Sequence, residues 1–244
     1  MESLSRILVG IDLARTSSSP EWSISAPVQC AVEQAFQIAQ STSAELTFLV
    51  VYDLPQGPTH PDAPDITLES IRARVFECLN PLLETASDRG LDAVIRMTVG
   101  RPDIELVRCA VEQRSDLLIL GTKDQGRFSH GMFGSTASKV LRSCPCPVWV
   151  AKPEDRDGEF HMMVATDLTE VGDQLLQMGV ELARLQEARL LVLHSIENHT
   201  DLRIRFSDLS DDEVKKIHDN RIDEAEQLLH QQLTSTCIPH CSVR

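Results

Sequence analysis

Between Gly121 and Thr136 the chain reads GTKDQGRFSHGMFGST, and the chemistry such a segment supports is the holding of phosphate. Gly121, Gly126, Gly131 and Gly134 allow tight turns and close approach of backbone to a ligand. Ser135 and Thr136 open a helical pattern, whose first N–H groups and positive dipole end attract an anion. Lys123 and Arg127 add positive charge, and His130 is either a phosphate contact or a solvated loop residue. A second candidate is Asp12, at the end of the apolar run Ser5 to Leu13. An aspartate there either caps a backbone N–H or faces a ligand, and a matching Asp167 later in the chain favours the ligand. The sequence holds no Ser-His-Asp order, no His-x-x-x-His and no Walker Gly-Lys-Ser. With no identifiable nucleophile or general base, binding is expected rather than catalysis.

Seven cysteines, at 30, 78, 109, 144, 146, 237 and 241, are scattered through periodic apolar segments. Their odd number and placement point to reduced thiols and not to a disulfide framework. Cys144 and Cys146 lie in a Cys-Pro-Cys-Pro run that would suit a metal or redox site, but it leads directly into Val148-Trp149-Val150, which favours a structural reading. Cys237, His240 and Cys241 have ligand-like spacing without a fourth ligand.

Short apolar runs at Ser5 to Leu13, Ala44 to Val51, Ala93 to Val99, Asp116 to Leu120 and Val148 to Ala151 read as strands. Helical spacing appears from Ala31 to Ala39, Leu68 to Ser87, Ile104 to Gln113 and Thr136 to Arg142. The Ser-rich stretch Thr16 to Ile24 and the proline-rich stretch Leu54 to Ile66 read as loops. Such alternation implies a parallel sheet covered by helices on both faces. The glycine segment then sits where a strand releases the chain towards a helix, the usual ligand position in open α/β sheets.

The pattern restarts after residue 153. Met162 to Leu168 (MMVATDL) lies on Ile7 to Leu13 (ILVGIDL), and Gly179 to Glu197 lies on Ala35 to Asp53. Between the two matches the offset falls by eleven residues, as an insertion in the first strand-to-helix loop would produce. A further helix, about Asp212 to Leu233, corresponds to Leu68 to Ser87. The expected organisation is a complete domain, 1–153, and an incomplete copy, 154–244, without a counterpart of Gly121 to Lys152. Lacking a phosphate cradle, that copy should keep Asp167 as a remnant only.

In these features the chain resembles the universal stress protein family, whose nucleotide loop is Gly, two residues, Gly, nine residues, then Gly and Ser or Thr. Gly121, Asp124, Gly134 and Ser135 fall at those four positions, and Lys139-Val140-Leu141 with CPCPVWVAKP resembles the family's closing segment. The resemblance implies an open five-stranded parallel sheet of order 3-2-1-4-5. It also implies a regulatory role in the stress response through adenine nucleotide, ATP with magnesium. The site it implies comprises Gly10, Ile11, Asp12, Val50, Leu120, Gly121, Lys123, Asp124, Arg127, Gly134, Ser135 and Thr136. One departure stands out: Asp124 replaces the second glycine. A carboxylate about 4 Å from phosphate costs roughly 4 kcal/mol at an effective dielectric near 20. Either Lys123, Arg127 or magnesium relieves it, or the site has lost its ligand and the protein is a scaffold acting through dimerisation and protein contacts.

Composition fits this reading. Hydrophobic residues make up 42% and aromatics 4%, a core of Leu, Val, Ile and Ala suited to helices on a parallel sheet. The net charge of -14 is uneven, with eighteen acidic against fourteen basic residues through 152 and nineteen against nine beyond. Such a surface repels nucleic acid and anionic membranes. With no apolar run of about 20 residues and no leader-like N-terminus, a cytoplasmic protein is expected. In the family order strand 4 lies beside strand 1, so a copy ending near its third strand leaves Met162 to Thr166 without an inner neighbour. A homodimer or higher homo-oligomer covering that edge is expected.

Overall fold

The computed structural model describes residues 4–15, 22–53, 67–122, 134–153, 160–196 and 210–235. They divide between two compact units, 1–155 and 156–244.

In the first unit, Arg6–Ile11 (β1), Glu45–Tyr52 (β4), Ala93–Val99 (β5), Leu117–Gly121 (β6) and Val148–Ala151 (β7) form one sheet of order β5-β4-β1-β6-β7. Every neighbouring pair is parallel, which is the expected 3-2-1-4-5 arrangement. The order follows from burial. β1, β4 and β6 are apolar on both sides of the pleat and occupy the centre, where both faces are covered. The alternating β5 takes an edge.

The helices are Ala26–Thr42 (α1), Leu68–Asp88 (α2), Pro102–Gln113 (α3) and Ser135–Ser143 (α4). On one face Leu8, Leu49, Leu118 and Leu120 pack with Leu106, Cys109 and Ala110 of α3 and Ala137 and Val140 of α4. On the other, Phe48 meets Phe36 of α1 edge-on at 5.9 Å between ring centroids. Both rings are fully buried, each contributing on the order of 2 kcal/mol by area removed from water. At the amino end of the sheet the Asp116 carboxylate accepts the N–H groups of Ser5 and Arg6, both at 2.8 Å, fixing β1 beside β6. Pro81 lies inside α2, which continues through it.

Three expectations need correction. Strand 1 ends at Ile11 and not at Leu13, because after Asp12 the chain forms a separate short strand, Leu13–Arg15 (β2). That strand pairs antiparallel with Trp22–Ile24 (β3), inside the stretch read as loop. Strand 2 also runs one residue past Val51, to Tyr52. The hairpin and the end of strand 2 meet, since Trp22 stacks on Tyr52 at 6.4 Å with planes 7° apart, a contact between segments far apart in sequence. The segment 54–66 lies outside the described residues.

The second unit contains His161–Thr166 (β8), Glu170–Leu185 (α5), Arg189–His194 (β9) and Asp211–Ser235 (α6). β8 and β9 are parallel and in register from His161 opposite Arg189 to Thr166 opposite His194. Val164, Leu190 and Val192 pack under Leu175 and Leu176 of α5 and Leu229 and Leu233 of α6. Fourteen residues separate β1 from α1 and three separate β8 from α5, a difference of eleven that the β2–β3 hairpin occupies.

Candidate functional site

The chain steps outward from β1 to β4 to β5, then returns across the sheet to β6 on the other side of β1. The reversal of strand order opens a crevice outside the carboxyl ends of β1 and β6, the general ligand position in this architecture. Register brings the sequence candidates there together: Ile11 lies level with Val50, and Gly10 with Leu120.

These residues do not share one role. Gly10, Ile11, Val50 and Leu120 are buried; Leu120 belongs with Leu8 and Leu49 to the cluster under α3 and α4, and Ile11 and Val50, one residue out of phase, lie on the other face of the sheet. Gly10 is fixed by packing, since a Cβ there would fall on the Leu120 side chain and come within 3.0 Å of Leu106. Gly121 is fixed by a backbone approach. A Cβ would stand 2.7 Å from the carbonyl of Pro27 and 2.8 Å from the nitrogen of Val28, so only glycine lets the end of β6 meet the first turn of α1. The next residue returns to the sheet, with Thr122 N–H donating to the Ala151 carbonyl at 2.9 Å.

Asp12 is the polar group at the end of β1. It is exposed, and among the described residues nothing donates to its carboxylate. The alternative in which it caps a nearby backbone N–H therefore finds no partner there. Gly134, Ser135 and Thr136 begin α4. Gly134 is the N-cap, extended at φ -64° and ψ 162°, and offers no capping side chain; the first turn has no acidic residue. The leading N–H groups of this helix are thus left for water or an anion.

Three other helices are finished differently, while α1 shares the open start of α4, with no side-chain cap at Ser25 and no acidic residue in its first turn. α2 starts at Thr67, whose hydroxyl accepts the Ser70 N–H at 3.2 Å, with Glu69 in its first turn. α3 carries Asp103 and Glu105 in its first turn, and Asp103 also accepts from Arg101 at 2.9 Å. α5 starts at Thr169, which accepts the Gly172 N–H, followed by Glu170 and Asp173. Each of these termini carries its own negative charge, whereas α4 carries none.

At the end of β8 the equivalent of Asp12 is consumed. Asp167 accepts the Thr169 N–H at 3.0 Å and its hydroxyl at 2.7 Å. These two bonds, the hydroxyl first, hold its carboxyl below the usual carboxylate range. Thr166 accepts the Leu168 N–H at 3.1 Å, and its own carbonyl accepts from Nδ1 of His194 at 2.9 Å. Gln232 of α6 reaches both Thr166 and the Thr169 carbonyl.

Lys123, Asp124 and Arg127, with Gly126, His130 and Gly131, lie outside the described residues, as do Cys237, His240 and Cys241. Sequence reasoning missed the Trp22–Tyr52 pair, which brings the β2–β3 hairpin to the carboxyl end of β4. The available signal was composition: the chain has one tyrosine and two tryptophans, and one of the latter stands in a Ser-rich stretch. The backbone carbonyl of that tryptophan also accepts from the Cys78 thiol at 3.1 Å, tying the hairpin to α2.

A universal stress protein of Methanocaldococcus jannaschii is 26% identical over 129 residues, 52% of this chain and 76% of the relative. Among solved structures, universal stress protein UspA from Lactobacillus plantarum is 24% identical with a TM-score of 0.48, covering 62% of this chain and 99% of that one. The universal stress protein of Archaeoglobus fulgidus in complex with dAMP is 20% identical with a TM-score of 0.42, covering 62% and 99%. The sequence profile of the universal stress protein family matches residues 4–152, so the chain belongs to that family.

Proposed function

We propose that the first unit is a regulatory adenine-nucleotide-binding module of the stress response, taking ATP with magnesium at the crevice between β1 and β6 and performing no fast chemistry on it. The observation that carries the reading is the pairing of two unsatisfied groups at the switch point. Asp12 has a carboxylate suited to ribose hydroxyls, and α4 has N–H groups suited to phosphate. Ile11 and Val50, level with one another at the carboxyl ends of β1 and β4, supply apolar surface for a purine, and Gly121 keeps the rim low. Lys123, Asp124 and Arg127 complete the loop in sequence, with Asp124 either a magnesium ligand or an obstacle. Residues 1–153 act as the nucleotide-binding domain and 154–244 repeat its opening elements, a reading supported by the eleven-residue difference that the hairpin fills. The protein works in the cytoplasm.

Isothermal titration of the full chain with ATP and magnesium tests this. Saturable heat that Asp12→Ala removes is the expected result. Absence of heat at millimolar nucleotide, with heat restored by Asp124→Gly, would instead assign the protein to the scaffold class.

A specific observation favours adding assembly to either reading. Among the described residues β8 has a strand partner on one edge only, β9. One face of that pair is also open: Met163, Leu191 and Leu193 are 47%, 60% and 46% exposed, while Leu8 and Leu49, at the positions of Met163 and Leu193 in the first unit, are 0% and 3% exposed under α3 and α4. A second copy of the chain is the proposed cover, giving a homodimer or higher homo-oligomer. Light scattering at micromolar concentration tests it, and a monomer with protected amides through 161–166 would overturn it.

A further inference from the structure

Neither the nucleotide site nor the repeat uses the Cys-Pro-Cys run. It forms the connection between α4 and β7. Cys144 is the C-cap of α4, extended at φ -75° and ψ 129°, and its N–H donates to the Val140 carbonyl at 2.8 Å. Pro145 is exposed and limits the backbone between the two thiols. Both sulfurs turn to the same side, where Cys144 and Cys146 pack against the cluster containing Leu118, Leu120, Ala137 and Val140, and they lie 3.5 Å apart. A disulfide needs about 2.05 Å, so the two sulfurs have roughly 1.5 Å to close.

We propose that Cys144 and Cys146 are a reversible dithiol–disulfide site, oxidised and reduced by exchange with small-molecule disulfides and thiols of the glutathione class. In the forward direction the Cys144 thiolate attacks one sulfur of the oxidised tripeptide. The S–S bond of the tripeptide breaks, a mixed disulfide forms at Cys144, and the first glutathione leaves as thiolate and takes a proton. Cys146 then loses its proton to water and attacks the Cys144 sulfur, breaking the mixed disulfide and releasing the second glutathione. Two protein thiols become one disulfide and one oxidised glutathione becomes two reduced, so electrons and protons balance.

The order of attack follows from the surroundings. A hydrogen bond from the Cys146 thiol, working against partial burial, lowers the Cys144 thiol to about 7, where attacking thiolate is abundant near neutral pH. Cys146 is raised by that same bond and by burial, which suits a resolving thiol that reacts only once its neighbour is capped. By contrast, burial raises the Cys78 and Cys109 thiols, and neither has a second sulfur in hydrogen-bond range among the described residues.

The test is peptide mapping of the full chain after equilibration in glutathione buffers of rising oxidised fraction, acid quench, alkylation and trypsin digestion. Both sulfurs fall in the tryptic peptide that begins at Ser143. Its doubly alkylated form should decline about tenfold across the range. An unalkylated form lighter by two hydrogens should replace it, and dithiothreitol should reverse the change. Cys146→Ser should accumulate one glutathione on Cys144. Double alkylation at every ratio would overturn the proposal. So would a stable glutathione adduct in the unsubstituted chain, or a bridge from either sulfur to another cysteine.

Discussion

At the end of β1 the Asp12 carboxylate stands exposed and α4 starts without a charge of its own, whereas at the end of β8 the matching Asp167 is locked by Thr169 within a network that includes Thr166, His194 and Gln232. The strands match in sequence, yet the distance to the next helix differs. Three residues after β8 place Asp167 where it caps the turn into α5; fourteen residues after β1 carry the chain away into a hairpin and leave Asp12 without that neighbour. The same residue type thus stabilises a turn in one place and stays available in the other. Availability has a cost, because an exposed aspartate and an uncapped helix forgo about 1 kcal/mol that capping commonly supplies. The first unit offsets it with a five-stranded core.

The comparison is broken most severely at the point where the crevice depends on backbone contact. Gly121→Ala drives a Cβ into the carbonyl of Pro27 and the nitrogen of Val28, which cannot rotate away as a side chain would. A loss of about 1–3 kcal/mol is expected, visible as a lower denaturant midpoint for the first unit. An unchanged midpoint would mean that α1 shifts freely over β6, and the shape of the crevice would then be soft.

Next in size is Asp167→Ala, expected to cost about 1 kcal/mol, while Asp12→Ala should cost under about 0.5 kcal/mol. Hydrogen exchange localised to residues 161–185 and to residues 6–15 separates the two effects. The pH dependence should separate them as well. The folded Asp167 carboxyl is held below its ordinary value, so the unfolded chain binds that proton first on acidification. Its contribution is fully present above the ordinary carboxylate value near 4 and fades as pH falls towards the depressed one. Asp167→Asn should flatten that slope in the second unit. Equal slopes with and without the substitution would show that the Thr169 bonds carry no net stability.

How much of this was legible in the sequence depends on the range of the interactions involved. β1, β4 and β6 were readable because their apolar runs are long and buried on both faces, and the place of the insertion was readable from the offset between Ile7 and Ala35. The hairpin was hidden, since Leu13–Arg15 and Trp22–Ile24 are three residues each and their pairing is supported by Trp22 against Tyr52, a tertiary contact that no local period announces. The candidates Asp12, Gly121 and Gly134 were found by type and spacing. Their different duties were not, because what fixes Gly121 is the backbone of α1 and what leaves Asp12 open is the lack of a donor among the described residues.

The smallest change in stability, and the sharpest test of the comparison, is expected from giving α4 the finish that α5 already has. Gly134 sits at φ -64° and ψ 162°, a conformation open to any residue, so Gly134→Asp introduces no backbone strain. The new carboxylate can accept a leading N–H of α4 and lies at the positive end of its dipole, as Thr169, Glu170 and Asp173 do for α5. A gain of a few tenths of a kcal/mol in stability should follow. The same carboxylate would occupy the N–H groups assigned to phosphate. At about 4 Å from a phosphate charge it costs roughly 4 kcal/mol at an effective dielectric near 20, a loss of more than a hundredfold in ATP affinity. Denaturant titration and calorimetry on the same preparation read both quantities. A more stable protein that no longer binds ATP is the expected pair of results. A more stable protein whose affinity is unchanged would move the phosphates away from α4 and leave Asp12 as the sole anchor of the proposed site.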